Sequence, residues 1–251
     1  MKIFHTLALF IPVLLFSGFK KKTQSNTGQI VLHFKNMVNE RPLLLNDSSH
    51  VYYNANGDDF YVTTFKYYIS NIVLTKTNGD TVQMPDSYFL INAADSSTLT
   101  QQLAGVPAGK YKAISFLIGV DSLRNFAGAQ SGCLDPAKGM FWSWKSGYIF
   151  VKMEGVSSKS ASRKNRLTFH IGGATDPDNT IREFSQDLPA RLKIKNNRVA
   201  DMNIDVNAAA LFMGNSTVKF SDLSHTMGGP KSVIVADNYA RGLFRVSGVK
   251  N

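Results

Sequence analysis

Apolar and polar residues alternate along most of the chain. The first clear run is QIVLHFKNM (29–37), and a period of two is the pattern of a strand with one buried face. Runs of the same kind lie at 60–69, 71–76, 87–92, 111–120, 147–153, 166–171, 180–188, 191–195, 199–206 and 217–223. Only 207–214 and 232–240 are typical of short helices. The pattern predicts an all-β fold, a single antiparallel β-sandwich or barrel-like domain with one or two short helices.

One segment interrupts this alternation between two strong strands. Residues 122–147 (SLRNFAGAQSGCLDPAKGMFWSWKSG) are rich in glycine and aromatic residues. Long loops inside a compact domain are usually functional or disordered, and this one is too apolar for disorder. Two interpretations stay open: a functional loop, or a cover over one end of the sandwich that packs its aromatic side chains inward.

The N-terminus has the parts of a secretory signal. A positive start is followed by the apolar run 7–16 and by Ser17-Gly18, and that run is too short to span a bilayer. We predict a signal peptide at 1–18, a polar segment at 19–28 and the folded domain at 29–251, with a periplasmic or extracellular location and no transmembrane span. Phe19 stands where a bacterial lipoprotein carries its acylated cysteine, so we predict no lipid anchor. An uncleaved amphipathic anchor is the alternative.

Composition excludes several classes of site. Cys133 is the only cysteine among 251 residues, which rules out an intrachain disulfide, a zinc site with two cysteine ligands and a cysteine-held iron–sulfur cluster. Lys and Arg number 28 against 18 Asp and Glu, a net charge of +10. In 191–195 (RLKIK) the charges alternate with apolar residues, which predicts a solvated strand face and not a nucleic-acid site. Binding to anionic lipid or polysaccharide is the alternative.

Catalytic motifs are absent from the sequence. It contains no GxSxG, HExxH, P-loop or GxGxxG, and Asp135, Asp176 and Asp178 lie in turn contexts that explain them structurally. We therefore predict that the protein is not an enzyme. The remaining metal-type ligands are His33, His50, His170, His225, Met37, Met140, Met153 and Met227. Imidazole and thioether ligands favour copper over calcium or magnesium, and His170 stands out because it ends a strand before Gly172-Gly173.

The run GCLDPAKGMFWSWKSGYIFVKMEG (132–155), followed by FHIGG (169–173), resembles the motif of the MbnP-like copper-binding proteins. These are secreted β-sandwich proteins associated with methanobactin loci and found more widely in bacterial envelopes. Further segments at 66–74, 87–92, 106–125 and 236–251 are also similar to the family, so the resemblance covers nearly all of the chain after about residue 29.

The resemblance implies a copper site of a particular kind. In relatives, histidines hold one copper together with kynurenine, which a di-haem partner enzyme of the MauG type makes from a tryptophan. It implies Trp142 or Trp144 as that tryptophan and His170 as a ligand. Relatives often carry histidines where this chain has Asn36, Gly248 and Lys250, and His225 and Met227 are the candidates to replace them.

The resemblance thus implies a secreted copper-binding protein that buffers or delivers the metal without turnover. The alternative is a metal-free envelope module that presents Trp142, Trp144 and the basic strand to a glycan or a protein. The sequence leaves the oligomeric state open.

Overall fold

Two β-sheets face each other in the structure, a computed structural model that describes residues 26–251. In chain order the strands are β1 (Thr27–Val38), β2 (Arg41–Pro42), β3 (Tyr52–Tyr53), β4 (Asp59–Lys76), β5 (Thr81–Gln83), β6 (Tyr88–Asn92), β7 (Thr100–Pro107), β8 (Gly109–Ile118), β9 (Phe141–Ser143), β10 (Gly147–Tyr148), β11 (Val151–Val156), β12 (Arg166–Ile171), β13 (Arg182–Ile194), β14 (Val199–Asn207), β15 (His225–Met227) and β16 (Phe244–Lys250). The helices are α1 (Ser122–Asn125) and α2 (Pro230–Gly242), with 3-10 turns at Ser96–Leu99, Gly132–Leu134, Pro136–Lys138, Arg163–Asn165 and Ala208–Leu211. The predicted signal peptide, 1–18, lies outside the described residues.

The smaller sheet has the order β16-β14-β1-β2, with β7 also paired to β1. Strands β1 and β14 run parallel, from the pair Gln29 and Val199 to the pair Met37 and Asn207. The prediction of purely antiparallel pairing is therefore wrong, and the sheets are mixed. Alternation has the same period in both kinds of sheet, so it does not reveal direction.

The larger sheet has the order β13-β8-β4-β11-β12-β15, and β3, β5 and β6 also pair with β4. Strand β4 joins the two predicted runs 60–69 and 71–76 into one strand of 18 residues. Asn71 lies between them with φ 54°, a left-handed conformation that asparagine tolerates. The pairing of β4 with β8 shifts register at this point, so the irregularity redirects the strand without ending it.

The core between the sheets is built from the inward positions of both. Phe116 on β8 contacts Phe244 on β16 edge to face, with ring centroids 5.1 Å apart, and Tyr67 on β4 packs on Phe244 at 5.4 Å. At one margin the side chain of Gln186 on β13 bonds both the backbone N–H and C=O of Val246 on β16. The structure thus confirms an all-β sandwich with short helices and a long loop.

Some local predictions differ from the structure. Helix α2 covers the predicted 232–240, and a 3-10 turn stands at the predicted 207–214. The predicted strand 217–223 is wrong: apart from a single bridge at Thr217, that segment consists of a turn at 220–222 and irregular backbone. It packs Phe220 against Phe60 and Phe212, so its apolar residues anchor a loop. Within residues 26–251 no helix is both long and apolar enough to cross a membrane.

Candidate functional site

The long loop lies over the outer face of the larger sheet, away from the main core. Its residues Leu134, Met140 and Tyr148 form a second hydrophobic cluster with Tyr68 of β4 and Leu90 of β6. The loop is therefore an ordered cover that packs these side chains inward, but it covers the outer face of the larger sheet and not one end of the sandwich. Leu123, Phe126 and Trp144 remain exposed, so the loop also presents an apolar surface to solvent.

Asp121 anchors the start of this loop. Its carboxylate accepts hydrogen bonds from the Asn71 amide at 3.2 Å, from the Tyr88 hydroxyl and from the Arg124 backbone N–H at 3.1 Å. Partial burial works to raise the pKa of Asp121, but these hydrogen bonds stabilise the carboxylate and hold the pKa below its usual value. The charged form of Asp121 therefore holds together β4, β6 and α1.

Two lysines of the sheet hold the middle of the loop. Nζ of Lys66 donates to the carbonyl of Lys138 at 3.2 Å, and Nζ of Lys152 lies 3.5 Å from the carbonyl of Gly139. These carbonyls end the 3-10 turn Pro136–Lys138, where cations are favourable. The loop is thus fixed directly beside the outer-face residues of β4 and β11.

A row of side chains crosses the outer face of the sheet below this loop. Lys66 on β4 pairs with Lys152 on β11, Lys152 with His170 on β12, and His170 with Met227 on β15. Residues that pair across a sheet point to the same face. The register therefore brings the imidazole of His170 and the thioether of Met227 to adjacent positions on one surface.

Glu154 determines which nitrogen of His170 is free. Its Oε1 lies 2.7 Å from Nε2 of the imidazole, and a carboxylate only accepts, so Nε2 carries the proton and donates. Thr64 fixes the other carboxylate oxygen of Glu154 at 3.0 Å. Nδ1 of His170 is buried and has no hydrogen-bond partner among the described residues. Metal-ligating histidines commonly donate one ring N–H to a carboxylate and bind the metal through the other nitrogen, and His170 has this arrangement.

The imidazole of His170 is held in its neutral form. Burial lowers the pKa of His170, and the nearby Lys152 and His225 act in the same direction, against the opposing effect of Glu154. A neutral ring with Nε2 protonated leaves the lone pair on Nδ1. His170 is therefore prepared to bind a metal ion without first losing a proton.

Trp142 is the tryptophan that lies against this row. A Cβ added to Gly172 would stand 2.8 Å from Cζ3 of Trp142, and one added to Gly228 would stand 3.8 Å from its Cη2. Gly172 follows His170 by two residues, and Gly228 follows Met227 directly. The ring N–H of Trp142 is buried and, like Nδ1 of His170, has no hydrogen-bond partner within residues 26–251. Trp142, Gly172, Met227 and Gly228 all line a cavity of about 420 Å³.

Trp144 lies elsewhere on the loop. Its ring covers Gly128, where an added Cβ would be 2.2 Å from Cζ3, and it meets Phe141 edge to face at 6.5 Å. Its exposed fraction is 68%. The structure therefore separates the two tryptophans that the sequence left equivalent: Trp142 packs at the strand ends of His170 and Met227, and Trp144 faces solvent.

His225 is the next neighbour of the row. It pairs with Thr168, two residues before His170 on the same face of β12, and it is exposed. The candidate set of His170, Met227, Trp142 and His225 thus gathers at the β12–β15 edge of the sheet. No group of three His, Cys, Asp or Glu within 26–251 is arranged to hold a metal ion.

The other metal-type residues lie away from this edge. His33 bonds Asp201 at 2.8 Å on the outer face of the smaller sheet, and His50 pairs with Arg41 at 2.8 Å. Met140 and Met153 are buried in the two hydrophobic clusters. Asn36 points into the core, where its Oδ1 accepts from the Tyr67 hydroxyl at 3.0 Å, so it faces away from His33 as strand alternation predicts.

Sequence reasoning missed Glu154 and Lys152. Both lie on the polar face of the strand VKMEGV, which directly precedes the strand of His170. The two consecutive runs predict an antiparallel hairpin, and its register pairs Lys152 with His170 and leaves Glu154 two residues away. The pattern predicts both strands, but it does not predict this register.

Comparisons with known proteins identify the family and the fold that this chain resembles. A family model described as MbnP matches residues 27–229. Among solved structures, MbnP from Methylosinus trichosporium is similar with a TM-score of 0.55 and 13% sequence identity, over 88% of this chain and 98% of that chain. At this identity the likeness concerns the fold. No curated protein matches the sequence.

Proposed function

The chain belongs to the MbnP family, and from this premise we propose that it is a secreted protein that binds copper and buffers or delivers it without catalytic turnover. One observation carries the proposal: the bare, buried Nδ1 of His170, oriented by Glu154 and in register with the thioether of Met227. Imidazole and thioether are ligands that suit Cu(I). His170 and Met227 would hold the metal, and His225, which pairs with Thr168 two residues before His170, is the further candidate ligand.

Trp142 is the candidate for the aromatic ligand. An indole N–H is a donor without a lone pair, so an unmodified tryptophan does not ligate through nitrogen. Oxidative opening of the ring to kynurenine yields an aromatic amine, which has one. We assign this modification to Trp142 and not to Trp144, because Trp142 packs on Gly172 beside the row of His170 and Met227. A di-haem enzyme of the MauG type is the proposed partner that carries it out.

In this proposal copper is the bound cargo of the protein and not a catalytic cofactor. Glu154 keeps His170 in one tautomer, Lys66 and Lys152 hold the loop that carries Trp142, and burial excludes water from Nδ1. The periplasm or the extracellular space is the proposed location, consistent with the sequence at 1–18.

Metal analysis and mass spectrometry of the protein from its native source test this function. We expect bound copper together with the kynurenine mass increment in the peptide that follows Lys138, with the fragment ions assigning it to Trp142. Competition with a chromophoric Cu(I) chelator should give a much weaker affinity for His170→Ala than for the His50→Ala control. Equal affinity of the two variants would remove His170 from the site.

A second candidate is a metal-free envelope module, favoured by the lack of a three-residue His, Cys, Asp or Glu cluster within 26–251. Trp144, 68% exposed, and Leu123, 83% exposed, would present an aromatic and apolar surface to a glycan or a protein. The basic strand at 191–195 does not belong to that surface, because it lies at the far end of β8 from the loop. Native protein without copper and with intact tryptophans would support this candidate.

A further inference from the structure

Six exposed cations share one end of the sandwich, which we name the basic end. They are carried by β8, by β13 and by the turn that follows β13, and they comprise Lys110, Lys112, Arg191, Lys193, Lys195 and Arg198. Tyr111, Leu192 and Ile194 are buried in the core, so the charged side chains of β8 and β13 project from the outer face of the sheet, and Lys195 and Arg198 are exposed on the turn that follows. The net charge of +10 is thus concentrated in part on one surface.

These cations have no acidic partners within residues 26–251, because none of the six takes part in an ion pair there. Lys193 pairs directly with Lys110 in the register of β13 and β8, and like charges opposite each other destabilise a sheet. Asp80 on the neighbouring β4–β5 turn bonds the Asn78 amide at 2.8 Å and no cation. An external anion would relieve this repulsion.

The basic end offers room for a phosphate-sized group. A cavity of about 420 Å³ is lined by Lys193, Lys195, Arg198, Val199, Ala200 and Asn251. Val199 at its margin is 52% exposed. The cations around this cavity would bind the phosphodiester of a phospholipid head group. The exposed apolar side chain of Val199 at its margin would contact the acyl chains.

The chain enters the sandwich at the same end. The carbonyl of Asn26 accepts from the Ala108 N–H at 2.8 Å, and the carbonyl of Thr27 accepts from the Asn197 N–H at 2.9 Å. The first described residues therefore border the basic end.

The candidate copper site lies at a distance from this surface. Lys110 is at the start of β8, and the long loop follows the end of β8 at Ile118, eight residues or about 26 Å away along the strand. His170 is likewise aligned with Lys66, ten residues from Lys76 along β4. Contact at the basic end would leave the β12–β15 edge facing away from the contact and open to solvent.

We propose that the basic end is a docking surface for an anionic phospholipid bilayer. Lysine and arginine side chains near such a surface each strengthen binding, and the attraction falls as salt increases. The protein would lie on the membrane with the β13–β14 turn against the head groups. This inference does not depend on copper binding.

Vesicle co-sedimentation of the full chain tests the proposal. The measured quantity is the ratio of binding to vesicles of phosphatidylcholine with phosphatidylglycerol over binding to phosphatidylcholine alone. The N-terminal segment is the same in every variant, so it does not affect the comparison between them. For the triple variant Lys110→Gln, Lys193→Gln, Arg198→Gln we expect the ratio to fall by roughly 100-fold at low salt.

The matched control is Lys35→Gln, Lys219→Gln, Lys231→Gln, which removes the same charge from exposed positions elsewhere. Its ratio should stay near that of the unmodified protein, and thermal unfolding should confirm that both variants are folded. Equal losses in the two variants would show that net charge alone is responsible and would overturn the proposal. A unit ratio for the unmodified protein, or binding to a soluble anionic polysaccharide but not to vesicles, would overturn it as well.

Discussion

Met227 lies directly opposite His170 in the parallel register of β12 and β15. Gly172 directly follows β12 and Gly228 directly follows β15, and the ring of Trp142 rests against both glycines. This edge gathers an imidazole, a thioether and an indole that are 28 to 85 positions apart in sequence. The strand pairing, and not any local motif, creates the candidate site.

The thioether of Met227 should contribute to copper affinity. We expect Met227→Leu to weaken Cu(I) binding by about tenfold, since leucine keeps the apolar volume and removes a soft ligand. Met213→Leu is the control, because Met213 is exposed to a similar degree, 49% against 51%, but does not line the cavity. A chelator competition in which the two variants bind alike would exclude Met227 as a ligand.

Glu154 should act through His170. Glu154→Gln is expected to lower Cu(I) affinity roughly 10-fold or more, because the carboxylate orients the ring and raises the basicity of Nδ1. Glu183→Gln, an exposed carboxylate on β13, controls for the loss of charge. The ¹⁵N shifts of His170 should report the Nε2–H tautomer in the unmodified protein and a mixture in Glu154→Gln. An unchanged tautomer with reduced affinity would contradict this role.

Gly172 should be intolerant of any side chain. A Cβ there would stand 2.4 Å from the Tyr148 carbonyl oxygen as well as 2.8 Å from Trp142, and backbone does not yield to such contacts cheaply. We expect Gly172→Ala to destabilise the fold by about 1–3 kcal/mol and to change Trp142 fluorescence. Gly109→Ala is the control, since its nearest neighbour would be 3.7 Å away. Urea denaturation of both variants measures the difference.

The Asp121 anchor should make the loop sensitive to acid. The pKa of Asp121 is below its usual value in the folded protein, so its stabilising effect is full above the unfolded-state pKa of about 3.9 and is lost as pH falls through the folded value. We expect the loop to loosen below about pH 4. Tryptophan fluorescence and limited proteolysis, measured as a function of pH, would detect this change.

The variant Asp121→Asn should already be loosened at pH 7 and should show a smaller further change between pH 5 and 3. Asp80→Asn, on an exposed turn, should respond to acid as the unmodified protein does. A loop that opens at the same pH in Asp121→Asn as in the unmodified chain would assign the acid sensitivity to another group.

The sequence by itself determined most of the long strands, the long loop and the family, but it did not predict β7 and it wrongly predicted a strand at 217–223. Alternation of period two is a local consequence of burying one face of a strand, so β1, β12 and β14 follow from short segments, and the GMFWSWKSGY run carries the family resemblance. The Gly and Pro content around 107–109 and 172–173 likewise marks turns locally.

Only the tertiary structure decided which of these residues meet. Strand direction and register depend on contacts between segments far apart in the chain, such as β1 with β14. The alternation of apolar and polar residues within one strand predicts neither its direction nor its register. The offset of β11, β12 and β15 selects Glu154 as the partner of His170 and Met227 as its neighbour. The folded loop then places Trp142 on this edge, against Gly172 and Gly228, and leaves Trp144 over Gly128 and facing solvent.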